Sequence, residues 1–244
     1  MRPFFPRRLA VAATAAVGVA TCVFGAAPAS AAPTISVGPG SEIDVVQRET
    51  RSGIETDACT VGVLAYRPDG RRVGVTAGNC GKAGQRVAVP VPGRDNVIAP
   101  VGTIERSSNP PVKVIDGESF SLDPNAPDWA TVSFNAGVTL RNAQGRVKPT
   151  RLGRAVVGDK VCSQGRTSGW VCGNVTDVTT HRFRTDLKLR PGDSGASLIR
   201  LSDGAALGIH ATGSAEPNPD GSEVSDYWDL GFVFAQAGGL RLAV

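Results

Sequence analysis

The chain has 244 residues, of which 41% are apolar, 20% charged and 5% aromatic, with 30 glycines and 17 prolines. That composition excludes a collagen-like or highly charged disordered chain and fits either one large β-rich domain or two smaller ones. Without Arg2, Arg7 and Arg8 the chain keeps all 22 acids and loses three of its 26 bases, a net of about +1, so no basic surface argues for a nucleic-acid partner.

Those three arginines precede an apolar, alanine-rich run over residues 9–25, and Ala29-Ser30-Ala31 follows as a small-residue cleavage site. The pattern predicts a signal peptide over residues 1–31 and a secreted mature chain. No later stretch is long and apolar enough to span a membrane, so no membrane association is expected once the leader is gone. Residues 32–57 are polar, with Pro and Gly, and read as a loose N-terminal arm. A domain over residues 58–244 is expected to follow. Residues 59–66 read as a strand, Arg67-Pro68-Asp69-Gly70 as a hairpin turn, and 72–76 as the returning strand. Further short strands are predicted over 97–104, 129–134, 171–178, 196–199, 206–210 and 230–234. No stretch shows sustained helical periodicity. Many short strands between Gly, Pro, Asn and Asp make the fold class all-β, a barrel or a sandwich.

Cys22 falls within the leader, leaving Cys59, Cys80, Cys162 and Cys172. An even number in an exported chain reads as two disulfides, with three pairings open. There is no Cys-x-x-Cys spacing and the histidines are only His181 and His210, so no metal and no cofactor are expected.

Three segments carry chemistry. Thr76-Ala77-Gly78-Asn79-Cys80 comes first, Asp128-Trp129-Ala130-Thr131-Val132 second, and Gly192-Asp193-Ser194-Gly195 third. Ala196 follows the last of these and excludes a Gly-x-Ser-x-Gly nucleophile elbow. In order and spacing the three segments resemble the active site of chymotrypsin-like serine proteases, in the bacterial α-lytic branch. Residues 161–173, Val-Cys-Ser-Gln-Gly-Arg-Thr-Ser-Gly-Trp-Val-Cys-Gly, resemble a disulfide hairpin of that branch. The resemblance covers nearly all of the chain from Cys59 onward.

The resemblance implies two six-stranded Greek-key barrels, with their boundary near residues 135–150 and the active-site cleft between them. It implies disulfides Cys59–Cys80 and Cys162–Cys172, a peptide or protein ligand in the cleft, and a monomer. Ser194 takes the nucleophile position, Asp128 that of the orienting acid, and the N–H groups of Gly192 and Ser194 that of the oxyanion hole. His210 and Lys188 fall where the primary specificity pocket is expected. The family motif has histidine where this chain has Asn79. Serine is a poor nucleophile until a base takes its proton, and imidazole suits that task because it titrates near neutrality and has two usable nitrogens. Asparagine has an amide nitrogen one bond beyond Cγ, able to donate to Asp128, and nothing that titrates near pH 7. His181 and His210 are not placed to replace the base. The expectation is a pseudoprotease with little or no turnover; the alternative is a slow endopeptidase, or one assisted by a histidine of its substrate.

Overall fold

In a computed structural model the described residues are 35–115, 118–121, 123, 125–213 and 224–244. The leader and Cys22 lie outside them. The first half of the chain supplies β1 (Glu42–Thr50), β2 (Gly53–Thr60), β3 (Val63–Tyr66), β4 (Arg72–Thr76), β5 (Arg86–Pro90), β6 (Ile98–Ser107) and β7 (Ala130–Phe134). The second half supplies β8 (Lys160–Gly165), β9 (Gly169–Val178), β10 (Arg182–Thr185), β11 (Ser197–Arg200), β12 (Ala205–Gly213), β13 (Ser225–Asp229), helix α1 (Leu230–Gln236) and β14 (Arg241–Leu242).

Strands β2 and β3 are one bent stretch. Before the bend it pairs with β1, after it with β4, and the ring then runs β4–β7–β6–β5–β1 back to β2. The second ring runs β8–β9–β10–β13–β12–β11 and closes back on β8. Both are antiparallel, and closure leaves few open edges. The fold is the all-β, two-barrel arrangement of the chymotrypsin-like proteases.

Side chains alternate as a strand requires. In β3, Leu64 fills the first barrel beside Ile43, Val45, Val87 and Val101. Its neighbours Val63 and Ala65 face outward, where they meet Ile199, Ile209, Trp228, Val233 and Phe234 from the other half. Val161, Phe183, Leu198, Leu207 and Tyr227 fill the second barrel. A third apolar layer therefore glues the two barrels together.

Two expectations are corrected. The segment read as a loose arm over 32–57 contains most of β1 and β2, with Ile43 and Val45 fully buried. Its polar residues sit on the exposed end of a hairpin whose other end is core. Residues 230–234 form the start of α1, not a strand: Asp229 caps it by accepting from Phe232 N–H at 2.9 Å, and Leu230, Val233 and Phe234 are buried. Only two turns of helix are present, too few for periodicity to register.

Candidate active site

The three motif segments meet at the junction of the barrels. Strand β4 runs into one 3-10 turn, Gly78–Cys80, which buries Asn79. The Cys59–Cys80 disulfide fastens that turn to the end of β2. Asp128 stands two residues before β7 and is 1% exposed. Asn79 N–H donates to Asp128 Oδ1 at 2.8 Å. The Asn79 side chain reaches the other way, and its Nδ2 donates to Ser194 Oγ at 3.2 Å. The hydrogen bond between residue 79 and the acid is thus supplied by the main chain, while the amide engages the serine.

Asp128 Oδ2 is buried and has no hydrogen-bond partner among the described residues. Burial without a compensating cation pushes this carboxyl up from 3.8 to about 7, against the opposing pull of the Asn79 and Gly78 N–H groups.

The Ser194 turn is held from three sides. Thr60, at the end of β2, donates from Oγ1 to Gly192 C=O at 3.0 Å and from N–H to Ser194 C=O at 2.9 Å. The fully buried Asp193 carboxylate accepts from the N–H groups of Thr167 (2.8 Å), Ser168 (3.1 Å) and Arg190 (2.9 Å). Behind the turn, Gly195 N–H donates to His210 C=O at 2.7 Å. Gly62, at the bend between β2 and β3, lets the strand approach this closely: a Cβ there would lie 2.3 Å from Gly195 C=O. Asp193 N–H turns inward to Arg190 C=O. The N–H groups of Gly192 and Ser194, on either side of it, donate to no acceptor among the described residues.

His210 is buried in β12, 3% exposed, with Nδ1 3.1 Å from Asp226 C=O. A carbonyl only accepts, so Nδ1 carries a proton, and burial pushes the ring pKa down. A neutral ring held this way presents a lone pair at Nε2. Lys188 is exposed and has no hydrogen bond or ion pair to His210 among the described residues. His181 is exposed and stacks on Phe232 at 4.2 Å. Cys162–Cys172 bridges directly paired positions of β8 and β9, and both disulfide expectations hold. Thr60 and Asp193 were not singled out from sequence. Asp193 lies inside its own motif, but nothing adjacent to Thr60 signals that a residue more than a hundred positions away rests on it.

No family model matches the chain. Streptogrisin-C of Streptomyces griseus is 31% identical over 181 residues, covering 67% of this chain and 34% of that protein. This chain is a homologue of the bacterial chymotrypsin-like serine proteases. The homologue spans about a third of the length of the curated relative it matches. Among solved structures it is similar to the Nocardiopsis protease NAPase, with TM-score 0.59 and 25% identity over 86% of this chain and 100% of that one. Cellulomonas bogoriensis chymotrypsin gives TM-score 0.57 and 26% identity over 86% of this chain and 99% of that one. A glutamic-acid-specific serine protease, described as using a histidine triad in substrate binding, gives TM-score 0.59 at 21% identity over 85% of this chain and 100% of that one.

Proposed function

We propose that this homologue is secreted and binds peptides in the cleft between its barrels with little or no turnover. The observation that carries the reading is the Asn79 amide, donating to Ser194 Oγ at 3.2 Å. A general base must accept the serine proton as Oγ attacks. An amide nitrogen offers no lone pair for it and does not titrate near neutrality. In this reading Ser194 is the nucleophile position, Asp128 the orienting acid, and the N–H groups of Gly192 and Ser194 the oxyanion hole, whose donors retain value without a base. Secretion is supported by the leader-like residues 1–31 and by two disulfides of the kind that persist in oxidising compartments. The working unit is a monomer.

His210 closes the primary pocket from behind the Ser194 turn. With Nδ1 committed to Asp226 C=O, its neutral ring disfavours a carboxylate side chain, so acidic peptides gain only where the ring protonates. A second reading, an endopeptidase assisted by a substrate histidine, is favoured by the unpartnered Asp128 Oδ2, which an incoming imidazole N–H would satisfy.

Purified mature protein assayed on a fluorogenic peptide panel decides between the readings. The unaltered chain should show turnover about 10⁶-fold below a complete triad, the cost of losing a principal member in a well-studied analogue. Asn79→His should recover much of that loss, and Ser194→Ala should silence the recovered enzyme. Robust turnover by the unaltered chain sinks the non-catalytic reading. Turnover restricted to histidine-containing peptides selects the assisted endopeptidase.

A further inference from the structure

The same side-chain amide that removes the base changes what the cleft is built to hold. Beside a neutral catalytic imidazole, a serine hydroxyl spends its proton on the ring nitrogen. Here Ser194 Oγ accepts from Asn79 Nδ2, so its own hydrogen is left for a ligand. Two more donors stand in the same turn, the N–H groups of Gly192 and Ser194, neither spent on an acceptor among the described residues. Gly192 adopts φ +93°, a conformation open to glycine, and a methyl group added there would lie 3.1 Å from the Arg166 guanidinium. Arg166 pairs with Glu42 at 2.7 Å, so its charge at the rim is matched by a carboxylate. The turn therefore offers three donors together, the Ser194 hydroxyl and the N–H groups of Gly192 and Ser194. Behind Asn79 lies Asp128, desolvated and with its carboxyl pushed up to about 7, while the buried Asp193 carboxylate of the same turn is spent on three N–H groups.

An amide carbonyl satisfies one or two of these donors. A carboxylate has two oxygens and a charge, and charge-assisted hydrogen bonds are shorter and stronger than neutral ones. One oxygen suits the Gly192 and Ser194 N–H pair, the other the Ser194 hydroxyl. We infer that the cleft is a receptor for the free C-terminal carboxylate of a peptide, so that cleaved chain ends, not intact chains, are its preferred ligands. This inference rests on the cleft-binding reading above and adds the ligand class to it.

The test uses the whole mature chain and the N-terminally fluorescein-labelled peptides Ala-Ala-Pro-Xaa, with Xaa Ala, Leu, Phe or Glu. Each is made as the free acid and as the C-terminal amide, and binding is read by fluorescence anisotropy at pH 6.5. For the Xaa that binds best, the acid should bind at least about tenfold tighter than the amide, the scale of one charge-assisted hydrogen bond. Asn79→Asp, which sets a carboxylate against the ligand's own, should abolish that preference. If Asn79→Asp does not fold beside Asp128, Asn79→Ala removes the donor without adding charge and should narrow the acid-over-amide ratio several-fold. Equal binding of acids and amides overturns the inference and leaves the cleft-binding reading standing. An acid preference that neither variant alters also overturns it, since the carboxylate is then read elsewhere. Absence of binding across the panel overturns both.

Discussion

At the scale of single residues, the amide at position 79 reaches beyond the serine. In a complete triad the buried acid faces a ring that can carry positive charge; here Asp128 faces none, and burial pushes its carboxyl up to about 7. The unfolded chain ionises the same group near pH 3.9. Between those values the folded state holds a proton that the unfolded state has lost, so this group makes stability fall as pH rises from about 4 to 7. The three-unit separation corresponds to about 4 kcal/mol when fully developed above pH 7. Urea unfolding of the unaltered chain and of Asp128→Asn across that window should show the difference between them growing in favour of the variant. A difference that does not change with pH would mean that Asp128 ionises normally in the folded protein. The sequence locates the three motif segments and has Asn79 where the family motif has histidine. It does not reveal that the main chain of Asn79, at 2.8 Å, supplies the bond to Asp128, because residue type says nothing about which of two donors a short turn aims at an acid.

Among the elements, the bent strand made of β2 and β3 has the most far-reaching role. Its outward residues join the barrels, its Thr60 holds the Ser194 turn, and its bend at Gly62 admits the Gly195 carbonyl. Gly62→Ala would put a methyl group 2.3 Å from that oxygen. The turn must move, and overpacking of this kind typically costs about 1–3 kcal/mol. Peptide binding should fall with stability, although no residue of the cleft has changed; unchanged affinity and unchanged Tm would show that the approach is slack. The strand was legible from its Val-Leu-Ala-Tyr alternation, but its partner β1 was not. A polar hairpin tip at residues 47–55, mostly exposed, hides the buried Ile43 and Val45 that pair the strand into the barrel. Helix α1 was missed for the opposite reason: buried on one side and only seven residues long, it reads as a short apolar strand.

For the molecule as a whole, the two rings are tied by the last stretch of chain. Helix α1 packs Val233 and Phe234 into the layer between the barrels, and β14 then pairs with β3 of the first one. Ala243 N–H donates to Leu64 C=O at 3.0 Å, and Arg106 Nη1 to Ala237 C=O at 2.7 Å. Removing residues 240–244 exposes the surface that Leu240 and Ala243 cover and opens the β14 pairing. A loss of about 3–4 kcal/mol is expected from one buried leucine and two or three hydrogen bonds. Calorimetry should show a lower Tm and a less cooperative transition. An unaltered melting profile would show that the barrels hold together through the apolar layer alone.

The anchoring of the Ser194 turn has a genetic consequence. Thr60, Asp193 and the β12 carbonyl behind it hold the turn by bonds that do not involve residue 79. Asparagine and histidine codons differ only in their first base. One point mutation therefore separates the receptor proposed here from a chain carrying the full triad, and neither direction of that change disturbs the bonds on which the turn depends. A change in either direction is expected to leave the Ser194 turn folded.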